Sequence, residues 1–265
     1  MKQPLFSIII AAYNAEQTIR NTINSVLIQT CEDYEIVVKD ACSKDKTIDQ
    51  IPEDKRIRVI SEEDRGVYDG MNQAITRATG EYLAFLNCGD IFVDEYVLEK
   101  VKDYILSEKE RYDIIYGDYT RADLGQCVLK QPSNLNAFEL IRKPLTHQSV
   151  FFNYRVFEKN GLYDLDYKLC ADYDLTVKAF LSGDKFLHIN KVICVYQGGG
   201  ISERNSALLH LETKKIRKQF QKKVRAYHFC YQIITLLVVR EWIVSDKSPK
   251  GLRILYRNIL NKLIA

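Results

Sequence analysis

The sequence predicts an α/β protein with a doubly wound, mixed sheet, and three observations indicate this class. Strand-like and helix-like segments alternate over the first ninety residues, which is typical of a sheet covered by helices. The apolar run at residues 82–86 is continuous, as expected for a strand buried on both faces. A chain of 265 residues with 46% hydrophobic residues is long enough to bury one large core.

The first part of the chain carries the clearest elements. Strands are predicted at residues 6–11, 35–39, 57–61 and from 82 onward. Asn14 and Gln17 form a capping-box pattern before a helix whose apolar face contains Ile19, Ile23, Val26 and Leu27. A second helix is predicted at residues 67–78, with Gly80 as its stop signal, and a third contains Val97, Leu98, Val101 and Ile105 on one face.

The second part is less regular. Residues 113–116, 149–152 and 192–196 resemble strands, and residues 171–181 resemble a helix that Gly183 ends. The three glycines at 198–200, with Ser202, are interpreted either as a mobile lid or as an ordinary loop. We expect a catalytic domain at 1–210, with a nucleotide-binding half at 1–92 and an acceptor half at 93–210.

A basic C-terminal tail is predicted at residues 211–265. The net charge is only +3, but residues 214–265 carry 13 Lys and Arg against Glu241 and Asp246, so the remaining body is acidic. Basic residues before the aromatic stretch 227–242 favour an amphipathic helical segment on an anionic membrane surface. The alternative is a helix pair packed on the body with a solvated charged face. Nucleic-acid binding is disfavoured because no recognised module is present.

Cysteine usage and apolar runs bear on the compartment. The seven cysteines are scattered, with no CxxC pair, which favours a reducing environment. The N-terminus has no signal-peptide profile, and the apolar stretch at 229–239 is too short to span a membrane. We therefore expect a cytoplasmic protein.

Three strands each deliver polar groups at their carboxyl ends: Tyr13 with Asn14, Asp40, and Asp90. In open α/β sheets ligands bind beyond these ends. Asp40 suits a nucleobase imide, Asp64 and Asn87 suit a ribose, and Asp90 suits a divalent cation on phosphate oxygens. Taken alone, Gly89 and Asp90 indicate only a turn after a core strand, and the preceding strand ends are what favour a ligand site. No GxGxxG or GxxxxGK[ST] motif occurs, which disfavours dinucleotide hydride transfer and P-loop hydrolysis.

An ordered set of motifs resembles family 2 glycosyltransferases. The motifs are FSIIIAAYN at 6–14, INSVLIQT at 23–30, DACSKDKT at 40–47, EDRGVYDGMN at 63–72, ATGEY at 78–82 and LNCGD at 86–90. The DACSKDKT segment looks like a degraded form of the family's D-G-G-S-x-D-G-T turn. The resemblance covers roughly residues 5–205 and is closest to bacterial enzymes that build O-antigen, capsule and colanic-acid repeat units.

The resemblance implies a GT-A fold with a C-terminal helical extension, an NDP-sugar donor, Mn²⁺ or Mg²⁺, and inversion at the anomeric carbon. Asp90 stands at the metal motif, where Gly89 replaces an acid. Asp172 matches the family's catalytic aspartate; its alternative role is an N-cap or first-turn acid of a helix. The donor-binding residues implied are Ala11, Tyr13, Asp40, Asp64, Arg65, Asn72, Asn87 and Cys88.

Further residues have two interpretations each. His147 could contact the acceptor phosphate or the metal, or make a structural hydrogen bond. Asp118 could meet the acceptor or belong to a turn. Arg65 could approach the donor diphosphate or be a solvated side chain beside Glu62 and Glu63. Cys88 is expected to be a small filler rather than a nucleophile, because no base lies near it in sequence.

The predicted function is an inverting, metal-dependent glycosyltransferase in bacterial surface polysaccharide synthesis. It would move a sugar from an NDP-sugar, with UDP favoured, to a polyprenyl-diphosphate-linked saccharide at the inner face of the cytoplasmic membrane. A GDP-sugar donor stays open, as does a homodimer. An idle nucleotide- or sugar-binding module is an alternative, because of Gly89 and the degraded turn. A nucleotidyltransferase is disfavoured because its glycine- and lysine-rich entry loop is absent.

Overall fold

The computed structural model describes residues 3–108, 110–125 and 127–224. The chain divides into two compact units, Met1–Arg217 and Lys218–Ala265, and of the second unit only the helical residues 218–224 are described. The predicted aromatic stretch 227–242, Cys230 and most of the basic tail therefore lie outside the described residues.

The first unit is built on one nine-stranded sheet. The strands are β1 Phe6–Ala12, β2 Tyr34–Asp40, β3 Ile57–Ser61, β4 Tyr82–Asn87, β5 Ile91–Phe92, β6 Ile114–Arg121, β7 Val128–Leu129, β8 Val150–Asn153 and β9 Phe186–Tyr196. They lie in the order β3-β2-β1-β4-β8-β6-β9-β5, and β7 pairs with β6.

Helices connect and cover these strands. They are α1 Ile19–Leu27, α2 Val67–Ile75, α3 Val97–Ser107, α4 Ala137–Arg142, α5 Tyr154–Asn160, α6 Ala171–Leu181 and α7 Ile201–Arg204, and residues 206–217 of this unit are also helical. A short 3₁₀ turn at His147–Ser149 precedes β8. In the described part of the chain, no helix is long and apolar enough to cross a membrane.

Strands β3, β2, β1 and β4 run parallel, as the alternation of strands and helices predicts. The central residues of β2, β1 and β4 are buried on both faces, whereas β3 at the edge is largely exposed. The apolar face of α1 (Ile19, Ile23 and Val26) is fully buried against the same core. Ala12 lies opposite Asp40 and Ala11 opposite Asn87, so the carboxyl ends of β1, β2 and β4 meet at one edge.

The other part of the sheet is mixed. Strand β8 pairs antiparallel with both β4 and β6, while β9 is parallel to β6. The predicted doubly wound mixed sheet is confirmed, and one continuous sheet runs through both predicted halves of the catalytic domain. Strand β9 begins six residues before the predicted 192–196 segment. The prediction was too short because His188, Asn190 and Lys191 interrupt the apolar pattern of this strand.

Two local predictions are wrong. The N-cap of α1 is Thr18 rather than Asn14. Asn14 instead adopts φ 50°, and its side chain accepts a hydrogen bond from Lys44 N at 2.8 Å. Helix α2 ends at Ile75, three residues before the predicted end. Gly80 is a close-approach residue as well, because a Cβ there would lie 2.5 Å from the Ser7 backbone nitrogen.

Candidate active site

The loops after β1 and β2 are tied together at the edge where both strands end. The Asp40 carboxylate is buried and accepts hydrogen bonds from Ser43 N and, at 2.7 Å, from Ser61 Oγ. The Ser43 hydroxyl accepts from Asn14 N at 2.9 Å. Tyr13 is 62% exposed beside this junction, so its ring is free to stack on a ligand. Asp40 therefore orders the loop that follows β2. The prediction that it binds a nucleobase is a separate one.

Lys39 is a site residue that the sequence pattern did not reveal. Its side chain is fully buried, and the ammonium donates to the carbonyls of Asp40 and Glu62 and lies 2.9 Å from Asp64 Oδ2. The other carboxylate oxygen of Asp64 accepts from Gly66 N at 3.0 Å. Lys39 thus clamps the ends of β2 and β3 and fixes the carboxylate of Asp64. The sequence does contain a signal for this pair. A lysine lies inside an apolar strand, and an acidic loop follows the next strand.

Helix α2 carries further predicted donor residues. Arg65, just before the helix, is exposed and pairs with Asp69, which raises the pKa of the guanidinium. Asn72 is buried, and its amide exchanges two 2.9 Å hydrogen bonds with the backbone of Tyr163. These bonds tether α2 to the segment between α5 and α6.

The Asp90 carboxylate is buried at the end of the loop that follows β4. One oxygen accepts from Gln197 N and the other from Gln148 Nε2, each at 2.9 Å. Burial raises the pKa of Asp90 to about 6, although these hydrogen bonds act in the opposite direction. Asp90 has no salt-bridge partner among the residues described.

A divalent cation fits this carboxylate chemically. A buried anion with no basic partner gains from a nearby cation, and each oxygen retains a free lone pair. The described residues contain no group of three or more His, Cys, Asp or Glu that could hold a metal. Asp90 would therefore be the single carboxylate ligand, and water and diphosphate oxygens would have to complete the coordination.

The residues before Asp90 explain its isolation. Gly89 has φ +106°, and its N–H donates to Thr22 Oγ1 at 2.9 Å, so a second acid here would strain the backbone. Cys88 donates to Ala11 O, and burial raises its thiol pKa to about 12, which keeps it protonated. The Asn87 Oδ1 atom is buried and has no hydrogen-bond partner in the described part of the chain, so its capacity to accept a hydrogen bond is unused.

Asp172 lies in the first turn of α6, on the second half of the sheet. Its Oδ1 atom accepts a 2.6 Å hydrogen bond from the Tyr68 hydroxyl of α2. The N-cap of α6 is Cys170, so Asp172 is not the capping residue. Its neighbour Asp174 faces elsewhere and pairs with Lys178 at 2.6 Å. Asp172 is thereby oriented by a residue 104 positions earlier in the chain.

Two consecutive residues, His147 and Gln148, lie near Asp172 and Asp90, respectively. Gln148 binds Asp90, while the His147 ring stacks on Phe85 and its Nε2 lies 2.9 Å from the Tyr163 hydroxyl. Burial lowers the pKa of His147, and the negative charge of Asp172 partly offsets this. The 3₁₀ turn before β8 therefore places a neutral imidazole within the electrostatic field of Asp172.

Asp118 makes internal contacts. It is fully buried on β6 and binds Lys130 Nζ at 2.7 Å, Gln131 N at 2.9 Å and His188 Nε2 at 3.1 Å. These bonds hold the segment after β7 against the sheet. The arrangement matches a structural anchor, and the predicted acceptor contact stays untested.

The predicted lid is linked to the metal-motif carboxylate. Gln197, which donates to Asp90, leads directly into Gly198 and Gly199, and both glycines have positive φ. Gly199 N donates to Glu203, which also pairs with Arg121 of β6 at 2.9 Å. The loop thus has a defined anchor at each end.

A cleft of about 270 Å³ has Tyr68 in its lining. It is lined by residues 65–69 from the start of α2 and by residues 165–168 before α6. Because Tyr68 donates to Asp172, the cleft has in its wall a residue that contacts this carboxylate.

The fold and this arrangement of strand-end carboxylates define a GT-A glycosyltransferase. The family model described as glycosyl transferase family 2 matches residues 7–161, which is more than half of the chain. The chain belongs to glycosyl transferase family 2 and is a transferase, as the motifs predicted.

Similar proteins agree with this assignment. The PGL/p-HBAD biosynthesis glycosyltransferase of Mycobacterium bovis is 29% identical over 91% of this chain and 92% of its own length. The uncharacterized glycosyltransferase EpsJ of Bacillus subtilis is 25% identical over 97% of this chain and 84% of its own length.

Solved structures show the same fold. S. aureus TarS in complex with UDP superposes with a TM-score of 0.63 at 18% identity, covering 82% of this chain and 70% of that chain. The mannosyltransferase PcManGT from Pyrobaculum calidifontis, in complex with GDP-Man and Mn²⁺, gives a TM-score of 0.59 at 15% identity, covering 97% of this chain and 84% of that chain.

Proposed function

We propose that the protein is an inverting, metal-dependent glycosyltransferase that uses an NDP-sugar, with UDP favoured over GDP. The observation that carries the proposal is the link through His147 and Gln148. Gln148 binds the Asp90 carboxylate, and His147 lies in the electrostatic field of Asp172. Gln148 thus holds the carboxylate proposed for the diphosphate side, and the residue before it lies near the carboxylate proposed for the acceptor side.

The donor side is supported by the edge where β1, β2 and β4 end. Tyr13 offers an exposed ring for a base, and Asp40 and Asp64 are held rigidly by Ser61 and Lys39. The structural neighbours are bound to UDP, UDP-GlcNAc or GDP-Man, which supports a nucleotide-sugar and leaves the base open between uracil and guanine.

Asp90 is the proposed ligand for Mn²⁺ or Mg²⁺, with the Asn87 oxygen as the neighbouring free acceptor. Such an ion, when bound, stabilises the negative charge that develops on the diphosphate leaving group. Gln148 and the Gln197 backbone orient the Asp90 carboxylate.

Asp172 is the proposed general base. One of its oxygens is held by Tyr68, and the other would accept the proton of the acceptor hydroxyl as that oxygen attacks the anomeric carbon. Attack from the face opposite the leaving diphosphate inverts this centre. His147, which burial keeps neutral, adds no positive charge that would weaken the base.

The proposed acceptor is a polyprenyl-diphosphate-linked saccharide on the inner face of the cytoplasmic membrane, in surface polysaccharide synthesis. Support comes from the basic residues that follow α7. Lys214 and Lys215 of the first unit are exposed, as are Lys218, Lys222 and Lys223 of the second. Exposed lysines are attracted to anionic headgroups.

A thermal-shift screen of UDP-sugars and GDP-mannose, with and without Mn²⁺ or Mg²⁺, tests the proposal. The expected result is a rise in Tm for one donor class that requires the metal. Equal stabilisation in EDTA would contradict metal dependence. Metal-dependent stabilisation without any release of nucleotide in the presence of lipid-linked acceptors would favour an idle binding module.

A further inference from the structure

We propose that Tyr68 is the positioning residue that orients Asp172 through its phenol hydrogen bond. The inference rests on the proposed role of Asp172 as base. It assigns a function to Tyr68 of α2, which lies 104 residues before Asp172 in the sequence.

The geometry of the contact is that of a strong hydrogen bond. The Tyr68 hydroxyl lies 2.6 Å from Asp172 Oδ1, within the range of a phenol donating to a carboxylate. Burial and the nearby charge of Asp172 raise the pKa of Tyr68 well above its ordinary value. The phenol therefore keeps its proton at neutral pH and acts as a donor to the carboxylate.

The ring of Tyr68 is held in place by its surroundings. Only 8% of the residue is exposed, and its ring centroid lies 5.3 Å from that of Tyr163. Asn72, one turn further along α2, binds the backbone of Tyr163 through two hydrogen bonds. Tyr68 cannot turn away from Asp172 without disrupting the packing between α2 and the segment before α6.

The groups that face Asp172 come from three further places in the fold. Tyr68 belongs to α2, Tyr163 to the segment between α5 and α6, and His147 to the 3₁₀ turn before β8, while Cys170 precedes Asp172 on its own helix. Burial raises the pKa of the Tyr163 hydroxyl and the Cys170 thiol, and it lowers that of His147, so all three are neutral near pH 7. Among these groups, Tyr68 is the one with a hydrogen bond to the Asp172 carboxylate.

The contact also connects the base to the predicted donor loop. Tyr68 is the second residue of α2, directly after the segment that contains Asp64, Arg65 and Gly66. Arg65, Gly66 and Tyr68 line the same cleft. A shift of this loop would move the hydroxyl that fixes Asp172, so donor site and base are mechanically joined through Tyr68.

The variant Tyr68→Phe removes the hydroxyl and keeps the ring. Tyr173→Phe is the matched control, because the Tyr173 hydroxyl is also buried on this side of the fold but donates to Leu140 O at 2.7 Å. Nucleotide release from the UDP- or GDP-sugar selected by the stabilisation screen gives kcat and KM across pH. Full-length protein labelled with ¹³C at the aspartate carboxylates gives a resonance that is absent in Asp172→Asn and therefore reports Asp172.

In Tyr68→Phe we expect kcat to fall by on the order of tenfold to a hundredfold with little change in donor KM. The chemical shift of the Asp172 resonance should change at neutral pH, because the carboxylate loses the hydrogen bond of the phenol. Tyr173→Phe should leave kcat, KM and this resonance unchanged.

An unchanged Asp172 carboxylate resonance in Tyr68→Phe would overturn the inference, as would an equal change of this resonance in Tyr173→Phe. Turnover retained by Asp172→Asn would instead overturn the proposed base, and the carboxylate resonance would still report whether Tyr68 orients this residue. The two failures are therefore distinguishable.

Discussion

The side-chain amide of Gln148 donates a 2.9 Å hydrogen bond to Oδ2 of Asp90 and so brings the loop after β4 against the turn before β8. These segments lie 58 residues apart in the sequence. Because His147 occupies the preceding position, the same turn reaches both the metal-motif carboxylate and the surroundings of Asp172. The turn therefore lies between the proposed donor side and the proposed acceptor side of the site.

Asp90→Ala should abolish the part of nucleotide stabilisation that depends on metal, since it removes the proposed carboxylate ligand. Ligand at a hundred times Kd stabilises a protein by about 2.7 kcal/mol, which is readily seen as a shift in Tm. The control is Asp94→Ala, four residues further on, whose carboxylate pairs with Lys100 near the surface. If Asp90→Ala keeps the metal-dependent shift of the wild type, the metal assignment is wrong.

Lys39→Met should destabilise the protein by about 3–5 kcal/mol, because it leaves the Asp64 carboxylate with an uncompensated buried charge. Urea unfolding measures the loss. Lys100→Met is the matched control, because its pair with Asp94 is partly exposed and such pairs contribute about 1 kcal/mol or less. An equal decrease in the free energy of unfolding in Lys39→Met and Lys100→Met would contradict the role of Lys39 as a clamp.

His147→Gln should reduce the amount by which the free energy of unfolding falls when the pH is lowered from 7.5 to 5.5. Burial lowers the pKa of His147 in the folded state, so the unfolded chain binds a proton more readily as pH falls below about 6.5. Wild-type stability should therefore drop by on the order of 1 kcal/mol more than that of the variant between pH 7.5 and 5.5.

Urea midpoints at the two pH values measure this difference. The exposed His210 provides the control variant His210→Gln, which should retain the wild-type pH slope. A slope that is the same in His147→Gln and in the wild type would contradict the account of this buried imidazole.

The sequence predicted the fold where local pattern and packing agree. The continuous apolar strands β1, β2 and β4, and the periodic face of α1, announce a parallel sheet with its core, and the family follows from motifs at the strand ends. The antiparallel insertion of β8 was not predicted, because strand direction depends on pairing between segments that are distant in the chain.

The site residues stay predictions, but the structure adds relationships that no single motif could supply. Lys39 reads as an interruption of β2 until the β3 loop brings Asp64 beside it. The bond between Tyr68 and Asp172 joins two motifs that were recognised separately. At Gly89 the sequence itself shows a departure from the family's motif, which has an acid at this position. The structure supplies the physical reason, because the φ of +106° favours glycine.

The account is tested most directly by comparing Asp172→Asn with the wild type in donor binding and in sugar transfer. Its matched control is Asp174→Asn, on the same helix, whose carboxylate pairs with Lys178. We predict that Asp172→Asn keeps the metal-dependent stabilisation by the donor nucleotide and loses transfer by about 10²–10⁴-fold, whereas Asp174→Asn remains active. Transfer by Asp172→Asn at the wild-type rate would contradict the account.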